Sequence, residues 1–250
     1  MSISTASTKL LDIGEVLSDT FAVIRRNFIV LANVSVMLVA IPAAIRIAGA
    51  ALTPVSPIFA LLTFIGQLAI LVGMLLAYAV IFQIAMQDLH GQAASTDTMF
   101  KTALGRFWPL LGLILLIGLG VFAGGILLVV PGVILGLAWA VAMPALVLES
   151  RSVFESIGRS AALTRGKRWS IFLLYFLVGL ITLIVELVLF AIFGGFQSLI
   201  SRQPSVTAIV LSSLVSVVSV PFWAVLSTAL FDQLRGREGY GAEAVAEVFA

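Results

Sequence analysis

PGVILGLAWAVAMPALVLESRSVFESIGRSAALTRGKRW, residues 131–169, decides how this chain is built. No charge interrupts the apolar run from Pro131 to Leu148, and Glu149 ends it. A Ser-, Arg- and Lys-rich segment follows, with apolar residues at helical spacing, and Trp169 opens the next apolar run. The order reads as a membrane span, a helix lying in the interface, and re-entry into the membrane.

Composition agrees with that reading along the whole chain. Of 250 residues, 61% are hydrophobic and 10% charged, and the mean hydropathy is +1.19. A soluble domain carries about 25% charged residues, so too few are present here to cover a water-facing surface. The expected class is an all-α, polytopic membrane bundle in one domain, with six spans. No cysteine is present, which excludes thiolate catalysis, disulfides and cysteine-ligated metals. Residues 1–27 hold no apolar core followed by a small-residue cleavage site, so the first span is expected to direct insertion itself.

The predicted spans run over about 28–51, 58–87, 108–130, 131–148, 170–193 and 206–230. Thr53–Pro57 turns the chain after the first, and residues 237–250 form a polar tail expected to be mobile or weakly helical. Three amphipathic helices are expected before the odd spans. In the first, Ile13, Val16, Leu17, Phe21, Ile24 and Phe28 form a stripe, and Asp12 with Glu15 makes a capping pattern. The second groups Met99, Phe100, Ala103, Leu104 and Phe107. The third groups Val153, Phe154, Ile157 and Ala161, with Ser152 and Glu155 as its capping box.

A repeat underlies this order. Tyr78-Ala79-Val80, Trp139-Ala140-Val141 and Trp223-Ala224-Val225 each lie near the end of an even span. Each precedes a polar stop: Asp88, Glu149, or Asp232-Gln233. A shift of about 61 residues lays Gly105-Arg106-Phe107-Trp108 over Gly166-Lys167-Arg168-Trp169. Three units are expected, at 12–91, 92–151 and 152–236. The competing reading is that such triplets recur by composition at membrane interfaces.

Charge sets the orientation. Lys9, Arg25, Arg26, Lys101, Arg106, Arg151, Arg159, Arg165, Lys167, Arg168, Arg235 and Arg237 fall on one side of the predicted spans, and Arg46 and Arg202 on the other. By the positive-inside rule, both termini and all three amphipathic helices are cytoplasmic. Arg159, Arg165, Lys167, Arg168 and Trp169 are the candidate contacts to anionic lipid or a partner. The alternative is that these basic residues only set topology.

Two ionisable residues lie within spans. Arg46 and Glu186 both fall roughly 24–27 Å from the cytoplasmic start of their helices, at 1.5 Å per residue. Either they pair across the bundle, beside a pathway, or each snorkels to the far surface. Pro42, Pro144 and Pro221 kink their spans and free the carbonyls of Leu38, Ala140 and Val217, which could also bind an ion. The small-residue rows Gly132, Gly136, Ala140 and Ser212, Ser216, Ser219 read as packing seams. His90 is the only histidine. No catalytic set, cofactor loop, metal cluster or nucleic-acid motif is legible.

Residues 15–21 (EVLSDTF) with Asn27-Phe28, then Pro131-Gly132, Pro144 to Glu149, and Ala162-Leu163 with Gly166 and Trp169, resemble a known family. It is the membrane domain of bacterial glycerophosphoryl diester phosphodiesterases, with related stand-alone six-span proteins of unknown function. The resemblance implies a six-span fold in a bacterial inner membrane. In fused members a soluble enzyme follows, and its acid/His metal chemistry has no counterpart in residues 237–250. No catalytic residue carries over. The expectation is a non-enzymatic protein that organises membrane or assembles a partner complex, contacting lipids, a membrane protein or its own copies, and not nucleic acid. The alternative is a solute or ion transporter or channel built on Arg46, Glu186 and the proline-broken helices.

Overall fold

The computed structural model describes residues 11–50, 57–92, 96–193 and 206–249. Lys9, Arg202, the Gly194-Gly195 break and most of the predicted turn at 53–57 lie outside them. Every regular element among the described residues is helical. Helix α1 is Ile13–Arg26; α2 (Phe28–Ser35), a π-helical turn (Val36–Ala40) and α3 (Ile41–Ala50) follow without a break. Then come α4 (Pro57–Leu89), α5 (Thr96–Gly105), α6 (Phe107–Leu127), α7 (Val129–Ala138) and α8 (Ala142–Leu148). The chain closes with α9 (Val153–Leu163), α10 (Arg168–Ile192) and α11 (Val206–Phe249).

Six stretches are long and apolar enough to cross a membrane: Phe28–Ala48, Ala60–Leu89, Phe107–Ile126, Val129–Leu148, Arg168–Ile192 and Thr207–Gly236. These match the six predicted spans, so the fold is an all-helical bundle with the architecture of a multi-pass membrane protein. The tail is helical, because α11 continues to Phe249. Its start is already fixed by the sixth span, so the tail only has to propagate a helix, which is far easier than nucleating one.

Pro42 and Pro144 both lie beside irregular backbone. Before Pro42 the backbone widens into the π-helical turn, and the Ile41 amide donates to Val36 O. The Leu38 carbonyl is displaced onto α4, where its oxygen sits 1.7 Å from where a Cβ on Gly73 would project. Only glycine allows this approach. Pro144 has a larger effect, because the fourth span is not the continuous helix that its apolar run predicts. It stops at Ala138, turns through Trp139–Val141 and restarts at Ala142. Pro144 then falls in the first turn of α8, where its missing N–H is not needed. Pro221 lies inside α11, which runs through it.

Helices α6 and α7 form a tight hairpin. Gly132 meets Gly124 and Gly125 backbone to backbone, so a Cβ there would come within 2.9 Å of Gly125 N. Gly120 leaves room for the Trp139 ring. The core gathers at the end of the bundle where α1, α5 and α9 lie. It includes Leu75–Ala85 of α4, Leu110 and Leu113 of α6, Leu146 of α8, Leu174 of α10 and Leu226–Leu234 of α11.

Candidate functional site

The polar stops after the even spans become anchors at this packed end. Asp88 accepts from Arg26 Nη2 at 2.6 Å, from Arg26 Nε at 3.0 Å and from Asn27 Nδ2 at 2.8 Å. It thereby ties the end of α4 to the α1–α2 corner. Glu149 accepts from Arg151 and from Arg159 of α9. Burial disfavours its charge, but the hydrogen bonds from Arg151 and Arg159 outweigh that and hold its carboxyl below the ordinary range. On α11, Gln233 Nε2 donates to Glu15 at 2.9 Å, and Asp232 lies 3.5 Å from His90 Nε2. Burial, then the charges of Glu15 and Asp232, push the Asp19 carboxyl up.

Both predicted helix starts hold, with one change of partner. Asp12 Oδ1 accepts the Glu15 amide at 3.2 Å, while the Glu15 carboxylate turns to Gln233. Ser152 and Glu155 form the full reciprocal box, and the Ser152 amide holds the Glu155 carboxyl below its ordinary value.

The short helices bury part of each apolar stripe or neighbouring hydroxyls: α5 buries Met99 and Ala103. Helix α1 buries Val16, Thr20 and Val23, and leaves Phe21 60% exposed against Phe222. Helix α9 buries Ser156, Ser160 and Leu163, with Thr164 buried at its C-cap, and leaves Phe154 77% exposed. Ser160 completes the break in the fourth span. Its hydroxyl donates to Ala138 O at 2.8 Å and accepts the Val141 amide at 3.2 Å. Thr164 Oγ1 also lies 3.3 Å from Ala138 O. The unwound backbone is thus satisfied by hydroxyls from α9. No sequence motif assigns them this role, but Ser152, Ser156, Ser160 and Thr164 recur every four residues.

Among the described residues, no hydrogen bond or ion pair joins Arg46 to Glu186. The Arg46 guanidinium donates to Gln67 Oε1 at 3.2 Å and to Ser212 Oγ at 3.0 Å, so a span neighbour and a hydroxyl meet it instead of a carboxylate. Glu186 is half-buried on α10.

The basic candidates divide in two. Arg159 is engaged with Glu149. Arg165, Arg168 and Trp169 border an open cavity of about 730 Å³ with Ala161, Ala162 and Gly166. Lys167 is the residue that precedes α10, and no side chain caps that helix start. Gly166 makes the corner with φ +77°, a left-handed conformation that suits glycine. Phe28, Trp108 and Trp169 are all exposed at or beside the start of the odd spans, Trp169 by 83%. No family model, curated protein or solved structure matches this chain.

Proposed function

We propose that this is a non-enzymatic protein of a bacterial inner membrane, with both termini cytoplasmic. Helices α1, α5 and α9 lie along the inner leaflet, contact anionic headgroups and support a membrane-organising or complex-assembling role. One observation carries this reading: an exposed aromatic residue with a basic neighbour stands at or beside the start of each odd span (Arg26 and Phe28, Arg106 and Trp108, Arg168 and Trp169). Aromatic rings settle at headgroup depth, and basic residues mark the cytoplasmic side. The carboxylates at this end support a structural role, since Asp88 and Glu149 are engaged in holding helices together.

The same element order, a short helix followed by two spans, recurs over 12–91, 92–151 and 152–236, and we read it as a threefold repeat. The Tyr/Trp-Ala-Val triplets differ within it, being unwound only at Trp139–Val141. Kinship with the membrane domain of glycerophosphoryl diester phosphodiesterases is part of this proposal and rests on the sequence resemblance.

Extraction of the full chain in native nanodiscs tests the role. Anionic lipid enriched above the bulk membrane, with a stoichiometric protein partner or a second copy, is the expected result. A patch of bulk composition around a lone chain overturns it. The absence of cysteine makes topology directly testable. A cysteine replacing Gly158 is expected to resist an impermeant thiol reagent applied outside intact cells, and labelling from outside sinks the orientation. A transport reading draws on the Arg46, Gln67 and Ser212 cluster within the spans, where Arg46 Nε is buried without a partner. Solute flux in proteoliposomes that disappears with Arg46→Gln would favour it.

A further inference from the structure

We propose that the cavity between α9 and α10 seats the phosphate of one anionic glycerophospholipid, held by Arg165 and Arg168, with an acyl chain running down the outer face of α10. The proposal deepens the reading of α9 as a helix on an anionic leaflet and rests on it. Four observations point the same way.

The cavity, about 730 Å³, is lined by two guanidinium side chains and no carboxylate. It offers positive charge to a phosphate and no counter-charge to a choline or ethanolamine ammonium, so it favours net-anionic lipid over zwitterionic lipid. Neither guanidinium has a hydrogen-bond or ion-pair partner among the described residues, and Arg168 Nε is buried without one. This contrasts with Arg26, Arg151 and Arg159, which are all engaged with carboxylates. The left-handed corner at Gly166 bends the chain so that residues three apart flank one space, and no other group comes within 4 Å of where its Cβ would be.

The fourth observation separates a lipid from a free phosphate. An aromatic ladder leads away from the cavity along α10. Trp169 meets Phe172 edge-on with centroids 5.8 Å apart, and Phe172 stacks on Phe176 at 5.7 Å. Trp169 and Phe176 are exposed. An apolar track that starts at an open basic cavity and descends a membrane span fits a headgroup with its chain attached. It has no use for a soluble anion.

Native mass spectrometry of the full-length protein, titrated with phosphatidylglycerol and separately with phosphatidylcholine, tests the assignment. One phosphatidylglycerol is expected to bind about tenfold or more tightly than phosphatidylcholine. Arg165→Ala and Arg168→Ala are each expected to weaken it about five- to tenfold, with lysine at both positions restoring part of the loss. Phe172→Ala with Phe176→Ala is expected to weaken the lipid as well. Arg25→Ala, a basic change on α1, should leave this binding intact. Equal affinity for the two lipids, or equal loss with Arg25→Ala, overturns the site. Displacement by millimolar inorganic phosphate together with insensitivity to the Phe172 and Phe176 changes overturns the lipid in favour of a soluble phosphate. Melting temperature checks that each variant is folded. If nanodiscs of Arg165→Ala/Arg168→Ala still enrich anionic lipid undiminished, the cavity assignment fails while the wider reading of the three short helices stands. Loss of enrichment from the unmodified protein would sink that wider reading.

Discussion

Along α4 the exposed large apolar side chains, Ile58 through Leu71, come first, and the buried ones gather from Leu75 to Ala85. Two other spans, α10 and α11, show the same polarity. In α10, Ile171, Leu174 and Val178 are buried while Leu180 through Ile192 are largely exposed; in α11, Leu214 and Val218 are exposed and Val220 through Leu234 largely buried. One end of the bundle is close-packed and pinned by Asp88, Glu149 and Gln233. At the other end the helices present leucine, isoleucine and phenylalanine outward. In water that surface would drive aggregation. Against lipid tails it costs little, because a lipid chain is as apolar as leucine. The difference shows that stability is concentrated at the end that carries the short helices, while the opposite end relies on the bilayer.

Paired truncations are the hardest test of that contrast. Phe231→Ala at the packed end is expected to cost about 3–5 kcal/mol, and Phe122→Ala at the open end well under about 1 kcal/mol. Both are readable as unfolding midpoints in mixed detergent and SDS. Equal losses would mean that the two ends are packed alike. Ser160→Ala comes next, at about 1–3 kcal/mol, since Val141 N–H and Ala138 O lose a buried partner. A smaller loss would show that Thr164 or water takes over.

The pH response is the subtlest. Glu149 is held below its ordinary carboxyl value in the folded state. Its contribution is therefore complete above its unfolded value, near 4.5, and is lost as pH falls through the lower folded one. Glu149→Gln should flatten the acid limb of the melting curve and cost about 1–3 kcal/mol at pH 7. An unchanged acid limb would show that Glu149 does not carry the acid sensitivity.

The six spans were legible because each needs only about 20 apolar residues in a row. The helix starts at Asp12 and Ser152 were legible because capping is local chemistry. Other features were not, and the reasons are physical. An apolar run such as residues 131–148 does not reveal that its backbone opens at Trp139, because the groups that complete the break, Ser160 and Thr164, lie on another helix. The stripe on α9 marks an apolar face but does not say whether lipid or the bundle covers it. Beside a membrane the apolar Phe154 faces outward and the hydroxyls of Ser156 and Ser160 turn inward. A shared depth for Arg46 and Glu186 leaves both a pair and separate snorkelling open. Depth does not give rotation about the helix axis, and Ser212 and Gln67 stand where Arg46 points. The Arg165, Arg168 and Trp169 cluster was legible as basic residues, but the cavity they surround was not.

The hydroxyl that closes the break in the fourth span also sets a schedule for synthesis. Ser160 follows Val141 by nineteen positions, and ribosomes add about 5–20 residues each second. For roughly one to four seconds, a newly made fourth span therefore has no Ser160 to meet its open amide. Its final shape waits for the arrival of the segment that follows it.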